Sequence, residues 1–391
     1  MKFVHTADWQ LGKPFARISD PRKRSLVQQA RIDVIGRIGR VAAEVGAECV
    51  LVAGDLFDST SVDKATVAAT CSAIGQIGLP VIAIPGNHDH GGPGSVWEQA
   101  FFRREQAALA PNLILLREPA PFEMDAAVIL PCPLLHRAVL TDPTGWMRAE
   151  QTYEALPKDK PRIVLAHGST QTFLGESDDD EETSSRANLI DLSRLPEAEI
   201  DYVALGDWHG TKQITPNAWY AATPEPDRFP RGADYESGNL LLVEARRGGL
   251  PQVTCTHCGR LTWSELSHDF ADDTALDQLA ARLDALIGQR ADSDLLRLLL
   301  TGSLGIEAAT RLEQVLESLD ARLLRLKLVN QTLVAPTDQE IEALTRSGSD
   351  PLIANVALRL VELSAGEDED ASIARIALRE LHATCAREAG A

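Results

Sequence analysis

Five segments of this 391-residue chain share one pattern, a short apolar run that ends in acidic, amide or imidazole side chains. In the clearest of them, the apolar run at residues 81–84 stops at Pro85 and Gly86, and polar residues follow at once. Such a run predicts a buried strand whose carboxyl end opens into a loop. In open α/β sheets, that edge is where ligands bind. The polar residues at the five ends are Asp8 and Gln10; Asp55 and Asp58; Asn87, His88 and Asp89; His167; and Asp207 and His209.

The segments between the first strands predict helices. Apolar residues recur with a helical period over residues 22–45, and residues 62–77 have a helical pattern as well. Strands that alternate with helices predict βαβ units and a parallel sheet. Later apolar runs predict further strands, and we expect the last two of these to close a second sheet. The later runs are residues 113–116, 127–130, 162–166, 202–205, 219–221 and 239–244.

The character of the chain changes after the last of these runs. Strand-like and helical segments alternate in a small region, and the remainder is rich in Ala, Leu, Glu and Arg with a helical pattern. We therefore predict an α/β protein with three parts. These are a main domain over residues 1–248, a small α/β domain over residues 249–336 and a helical region over residues 337–391.

Composition and charge limit the class of protein. No apolar run reaches the roughly 18 residues that a membrane helix needs. The first residues lead directly into a strand instead of a signal peptide, so we expect a cytoplasmic protein. The net charge of −19 argues against a protein that coats nucleic acid without specificity. A local path of basic residues along a nucleic-acid backbone is still compatible with this charge, although the same residues fit the solvated start of a helix. The candidates are Lys13, Arg17, Arg22, Lys23 and Arg24, and Lys212, Arg228 and Arg231.

The five polar strand ends suit a metal centre. Carboxylate, amide and imidazole groups are ligands of divalent cations. Two cations about 3.5–4 Å apart can activate a water and stabilise both oxygens of an in-line displacement at phosphorus. One polar residue at a strand end would mean little, but five segments in order predict a site for phosphoester hydrolysis. By contrast, the lone CxxC motif of Cys255 and Cys258 lacks the further ligands of a zinc site.

The motifs themselves resemble those of the calcineurin-like metallophosphoesterases. The matching segments are Asp8-Trp-Gln10, Gly54-Asp55-Leu-Phe-Asp58, Gly86-Asn87-His88-Asp89, His167 and Gly206-Asp207-Trp-His209. Within that family, the chain is most similar to the SbcD-type DNA repair exonuclease subunits, of which Gly-Asp-Leu-Phe-Asp is typical. The resemblance implies a four-layer fold with two central β-sheets flanked by helices, together with a small α/β capping domain and a helical C-terminal tail.

The family resemblance also implies a role for each of these residues. One metal would be held by Asp8, Gln10, Asp55 and His209, and the other by Asp55, Asn87, His167 and Asp207, so that Asp55 bridges the two. His88 would not bind metal. It would protonate the leaving oxygen as a general acid, or stabilise the charge on the phosphate. Asp58 would orient His88 and raise its pKa.

Two positions depart from the family pattern. Gln10 stands where a His is usual, and Asp207 stands where the last motif usually begins with His. Both replacements still offer an oxygen donor, and the other predicted ligands and His88 are present, so we expect a working site. The harder ligands favour Mn²⁺, or Mg²⁺, over Zn²⁺. The neutral Gln10 should leave its metal the more weakly bound.

The resemblance implies a metal-dependent DNA exonuclease or endonuclease subunit in DNA repair. It would act as a homodimer with an SMC-like coiled-coil ATPase of the SbcC type, which the helical region over residues 337–391 would dock. Two alternatives stay open. One is a phosphodiesterase or phosphatase acting on nucleotides or other small phosphoesters, which the acidic net charge favours. The other is a non-catalytic subunit that binds DNA ends or the ATPase, against which the retained His88 and Asp58 argue.

Overall fold

The computed structural model divides the chain into two compact units, Met1–Thr262 and Trp263–Ala391. The acidic run at residues 178–182, for which the sequence predicts disorder or a lid, lies outside the described residues. Structure is described for residues 1–149, 151–171, 187–230, 232, 235–334, 337–345, 351–364, 366 and 369–389.

The first unit contains a six-stranded sheet that begins with four parallel strands. They are β1 (Lys2–Thr6), β2 (Cys49–Val52), β3 (Val81–Ala83) and β4 (Leu113–Leu115). Each pairs in parallel with the next in chain order. Asp8, Asp55 and Asn87 therefore follow the carboxyl ends of three adjacent strands, as the βαβ pattern predicts.

A second six-stranded sheet carries the remaining predicted site residues. Its early strands are β5 (Phe122–Glu123), β6 (Val128–Cys132) and β7 (Arg162–His167). A separate pair, β8 (Ser169–Thr170) and β9 (Leu189–Ile190), comes next. The second sheet then continues with β10 (Tyr202–Gly206), β11 (Lys212–Thr215) and β12 (Ala218–Tyr220). His167 ends β7 and Asp207 follows β10, and these two strands are parallel neighbours.

One sequence-based expectation about pairing is wrong. Residues 239–244 do not close the second sheet: they form β13 (Asn239–Glu244), which pairs antiparallel with β1 in the first sheet. β14 (Gln252–His257) then pairs with β13 and completes that sheet. Residues 219–221, by contrast, fall at β12 in the second sheet. An apolar pattern identifies a buried strand, but it does not identify the strand's neighbour.

Within the described part of the first unit, α-helices accompany the two sheets. They are α1 (Pro21–Glu44), α2 (Lys64–Gly75), α3 (Ala100–Leu109) and α4 (Gln151–Glu154). The start of α1 has a clear cause, because the Asp20 carboxylate accepts hydrogen bonds from the main-chain nitrogens of Arg22 and Lys23, and Pro21 occupies the first turn. A short 3₁₀ turn, Val96–Glu98, precedes α3.

The two sheets pack face to face, with helices on their outer faces. Phe3 of β1 shares a buried cluster with Ile129 and Leu165 of the second sheet. The next residue, Val4, points the opposite way and packs in a cluster with Ile35 of α1. On the outer face of the second sheet, the buried cluster includes a side chain of α4. This is the four-layer arrangement that the family resemblance implies.

In its described residues, the second unit is a small α/β structure followed by helices. Its strands are β15 (Thr262–Phe270), β16 (Asp294–Leu304), β17 (Arg325–Asn330) and β18 (Leu333–Val334), and β16 is parallel to β17 and β18. Its helices are α5 (Ala275–Ile287), α6 (Ile306–Arg322), α7 (Asp338–Thr345), α8 (Pro351–Ser364) and α9 (Glu369–Ala389).

The contacts between elements place the divisions of the chain differently from the sequence. β14 belongs to the first sheet, so the first unit continues to Thr262 and does not end at residue 248. The helical region from residue 337 shares the second unit, where Ile306 of α6 packs with Leu378 of α9 and Leu344 of α7. Among the described residues, no helix is both long enough and apolar enough to span a bilayer.

Candidate metal centre

Four of the predicted site residues have a left-handed backbone conformation. The φ angle is +53° at Asp8, +41° at Gln10, +54° at Asp55 and +103° at Asp207. Residues other than glycine seldom adopt this conformation, and where they do the surrounding structure holds strain of about 1–3 kcal/mol. Hydrogen bonds hold the loops here: Asp8 N donates to Gly54 O at 3.1 Å, and Gln10 N to Asp55 O at 2.9 Å. Strained positions of this kind concentrate at functional sites.

The strand ends bring a compact set of ligand atoms together. Asp8, Asp55 and His167 each place one ligand atom within 4.8 Å of the others, and all three residues are buried. His167 Nε2 lies 3.6 Å from Asp55 Oδ1 and 3.8 Å from Asp207 Oδ1. Asn87 Oδ1 lies 2.8 Å from the same nitrogen. Residues from both sheets therefore converge on one point.

The charges of this cluster favour a bound cation. Burial, together with the nearby carboxylates of Asp55 and Asp207, raises the pKa of Asp8 to about 8. Burial alone would lower the pKa of His167, but the carboxylates of Asp55, Asp8 and Asp207 raise it to about 9. Three carboxylates thus share a place from which water is largely excluded. A divalent cation would neutralise them, so the donor set fits the metal that the resemblance implies.

Main-chain contacts set the orientation of His167. Its Nδ1 donates to Ala53 O at 2.8 Å, so Nε2 is the ring atom that faces the carboxylates and would bind a metal once its proton is lost. The ring occupies space beside Gly54, where a Cβ would lie only 2.3 Å from Nδ1. Gly54 also has φ of +87°, which glycine adopts without cost. The glycine of the Gly-Asp motif is therefore needed for the close approach of His167.

Gln10 and His209 lie together on the other side of Asp8. His209 Nε2 is 3.9 Å from Asp8 Oδ1 and 3.3 Å from Gln10 Nε2. His209 Nδ1 donates to Asp227 Oδ1 at 3.1 Å, so Nε2 carries the lone pair. Lys13 Nζ donates to Gln10 Oε1 and to Asp227 Oδ2, both at 2.7 Å. This half of the site is thus a closed hydrogen-bond network.

His88 is held at the rim of the cluster. Its main-chain nitrogen donates to Asp55 Oδ1 at 3.0 Å, and its Nε2 lies 3.9 Å from Asp55 Oδ2. Its Nδ1 lies 2.9 Å from the main-chain oxygen of Asp58 and donates to it. The family resemblance implies that Asp58 orients His88, and the contact at Nδ1 is with the main chain of that residue. Burial raises the pKa of the Asp58 carboxyl above its usual value, although the nearby Lys13 and His88 act to lower it.

Several residues that hold the site were not predicted as such from the sequence. Asp89 is fully buried and its carboxylate accepts from the main-chain nitrogens of Gly86, at 2.7 Å, and Phe57, at 3.0 Å, which joins two ligand loops. Ser169 Oγ donates to Asp207 Oδ2 at 3.0 Å. Ser169 could have been suspected because it lies two residues after a predicted ligand. Asp227 follows no strand pattern, so the sequence carries no signal for its role.

The other candidates from the sequence have structural partners. His5 is buried and its ring contacts Tyr202 OH at 2.9 Å and Leu205 O at 3.2 Å, and burial lowers its pKa to about 3. His5 alternates within the first predicted strand, which indicates a structural role, and these contacts give it one. Of the basic path, Lys13 and Arg228 both contact Asp227. Arg231 lies outside the described residues.

Comparison with known proteins identifies the family of the chain. Residues 1–211, more than half of the sequence, match the sequence model of the family described as calcineurin-like phosphoesterase. The chain is also similar to the crystal structure of TT1561 of Thermus thermophilus, at 15% identity and a TM-score of 0.39, over 66% of this chain and 98% of that one. A second crystal structure matches at 11% identity and a TM-score of 0.38, with the same coverage. These two likenesses are too distant to support an argument, so the family assignment rests on the sequence match.

Proposed function

We propose that this chain, which belongs to the calcineurin-like phosphoesterase family, is a DNA exonuclease or endonuclease subunit of the SbcD type that acts in DNA repair. As a member of the family it is a metal-dependent hydrolase of phosphoesters. The observation that carries the proposal is the buried cluster of Asp8, Asp55 and His167 at the strand ends. The choice of DNA as the substrate is supported by the SbcD-type motifs in the same strand ends.

The residues of the cluster are assigned to two divalent cations. Asp8, Gln10, Asp55 and His209 would hold one, and Asp55, Asn87, His167 and Asp207 the other. When bound, such cations act as Lewis acids on the phosphoryl group and make a water nucleophilic. The ligand atoms contributed by Gln10 and Asp207 are oxygens, which supports Mn²⁺, or Mg²⁺, as the natural metal.

His88 is the proton donor in this proposal. Its Nδ1 donates to Asp58 O, so its Nε2 is the ring atom that faces the cluster and can deliver a proton to the leaving oxygen. The side chain is 18% exposed, which leaves it accessible to a substrate at the rim. General acid catalysis of this kind contributes about 10²–10⁴-fold to the rate. Asp55 contacts the main chain of the same residue, which ties the proton donor to a metal ligand.

The same proposal includes the predicted partners. The chain would act in the cytoplasm as a homodimer with an SMC-like coiled-coil ATPase of the SbcC type. The α/β part of the second unit, which begins at Trp263, would serve as the capping domain that binds DNA, and residues 337–391 would dock the ATPase. Support for docking comes from apolar side chains on α8 and α9 that are exposed in the chain by itself. They are Leu352, Val356, Leu358, Leu363, Ile373 and Ile376.

A nuclease assay tests the proposal. The wild type and His88→Ala would be incubated with end-labelled linear duplex DNA and single-stranded DNA, in Mn²⁺ and separately in Mg²⁺. We expect metal-dependent degradation by the wild type and a loss of at least about 100-fold in the variant. His257→Ala is the matched control, because His257 lies on β14 and contacts Asn239, and it should keep full activity. Equal activity of His88→Ala and the wild type would contradict the role of His88.

A small phosphoester is the second candidate substrate. The net charge of −19 favours it, because a strongly acidic chain repels a polyanion. Hydrolysis of bis(p-nitrophenyl) phosphate without degradation of DNA, with or without an ATPase partner, would support this alternative over the nuclease. Failure to hydrolyse either substrate, with metal binding intact, would favour a non-catalytic subunit.

A further inference from the structure

A lysine closes the half of the metal centre that contains Gln10. Lys13 Nζ lies 2.7 Å from Gln10 Oε1 and 2.7 Å from Asp227 Oδ2. The Lys13 side chain is 21% exposed and that of Asp227 is 0% exposed, so the ammonium group reaches inward to a buried carboxylate. Arg228 contacts the same carboxylate at 3.2 Å. Positive charge is therefore already built into the protein on this side of the site.

The contact with Lys13 fixes which way the Gln10 amide points. An ammonium group has three hydrogen-bond donors and no acceptor, so it must bond the amide oxygen. The amide nitrogen then faces His209 Nε2 at 3.3 Å and donates to it, because His209 Nδ1 is engaged with Asp227. The two atoms that would have to bind a metal here, Gln10 Oε1 and His209 Nε2, both accept hydrogen bonds already.

In the half of the centre around His167, no lysine or arginine among the described residues bonds to the ligand carboxylates. His167 Nε2 faces the oxygens of Asn87, Asp55 and Asp207 at 2.8, 3.6 and 3.8 Å. These oxygens are all acceptors when the carboxylates are ionised, so the arrangement gains from a cation. A metal entering there does not have to displace a lysine.

We propose that Lys13 keeps the Gln10 half of the centre closed, so that the two cation positions differ strongly in affinity. The position built on His167 binds the first cation tightly. The position built on Gln10 and His209 accepts a second cation only when it displaces the hydrogen bonds of Lys13 and overcomes the repulsion of its charge. This inference rests on the metal assignment proposed above and is independent of DNA as the substrate.

The difference in affinity makes the second cation a point of control. At low free metal the chain holds one cation, and the full centre forms only when the metal concentration rises. Lys13 therefore acts as a positioning residue for Gln10 and as an internal competitor of the second cation.

Titration of the whole chain with Mn²⁺ alone tests the inference. Isothermal calorimetry, together with electron paramagnetic resonance of the free ion, gives the number of bound cations and both dissociation constants. We expect one tight and one weak position in the wild type. In Lys13→Met, the weak position should tighten by at least about tenfold while the tight one is unchanged, since residues that contact metal ligands change affinity by about 10–100-fold.

The chain offers a closely matched control. Lys160 is also 21% exposed and bonds one carboxylate, that of Glu123, at 2.8 Å, so Lys160→Met removes a comparable lysine and should change neither constant. Lys13→Gln is a second test variant, because it removes the charge but keeps a polar side chain of similar length. It protects the test if Lys13→Met does not fold.

The outcomes separate clearly. Tightening of the second position in either Lys13 variant supports the inference. Two equally tight positions in the wild type, or a second position that is unchanged or weaker in both variants, would overturn it. Because no nucleic acid is present, the result stands whether or not the chain proves to be a nuclease.

Discussion

Replacement of Gly54 by Ala tests the packing that orients His167. At the φ angle of +87° found here, the left-handed conformation of an alanine destabilises the folded state by about 1–2 kcal/mol. Its Cβ would also lie 2.3 Å from Nδ1 and 2.6 Å from Cγ of His167. Moving the ring adds about 1–3 kcal/mol of overpacking, and loss of its bond to Ala53 O adds about 0.5–1.5 kcal/mol. The free energy of unfolding of the first unit should therefore fall by about 2.5–6.5 kcal/mol.

Gly78→Ala is the matched control for that variant. Gly78 has φ of +72° and no atom within 4 Å of a Cβ built on it, so its replacement should cost only the conformational term of about 1–2 kcal/mol. Both variants would be unfolded in urea with a chelator present and again with Mn²⁺. A ligand that binds the native state raises its stability, and we expect Mn²⁺ to stabilise the wild type and Gly78→Ala but not Gly54→Ala. Equal losses for the two variants, or full stabilisation of Gly54→Ala by Mn²⁺, would refute the reasoning.

Three further results are expected. Arg31→Met should lower the free energy of unfolding by about 3–5 kcal/mol in a urea titration. The buried guanidinium donates to main-chain oxygens of the loops around the site, and a loss below about 1 kcal/mol would contradict this role. In the second unit, Leu279→Ala should lower the free energy of unfolding by about 2–5 kcal/mol, because Leu279 is buried. Leu352 is 71% exposed, so Leu352→Ala should lower it by less than about 0.5 kcal/mol. Equal shifts of the melting temperature in the two variants would contradict these burials. Burial raises the pKa of the Cys49 thiol to about 12, so this thiol stays protonated at about pH 8. Iodoacetamide should therefore modify the exposed Cys255 before Cys49, which mass spectrometry would detect. Early modification of Cys49 in the native chain would argue against its burial.

The parts of the fold that the sequence predicted depend on local signals. Asp8, Asp55 and Asn87 each follow an apolar run directly, and parallel strands carry such ends to one edge of a sheet. The signal was strong because the pattern recurred in order along the chain. His167 and Asp207 followed the same rule in the second sheet, and the two sheets meet with their strand ends at one cluster.

The parts that the sequence did not predict depend on contacts between distant segments. β13 has an ordinary apolar pattern, and its pairing with β1 is decided by the packing of both sheets. Asp227 holds His209 and Lys13 from a loop that no periodic pattern marks. Lys13 was a candidate for a basic path or a solvated helix start, because basic residues follow it in the sequence, yet its ammonium group turns inward to Asp227. A residue that orients a metal ligand does so because the fold places it beside that ligand, and the spacing of residues along the chain does not reveal this proximity.

Anomalous diffraction at the manganese absorption edge, from crystals of the whole chain grown with Mn²⁺, would test the metal centre most directly. We expect a strong peak within about 2.0–2.6 Å of carboxylate oxygens of Asp55 and Asp207 and of His167 Nε2. A crystal of Asp55→Asn, which removes a charge shared by the cluster, should show a much weaker peak. Absence of a peak at this cluster in the wild-type crystal, or a peak of equal height in the variant, would contradict the assignment of these strand ends as the metal-binding site of the enzyme.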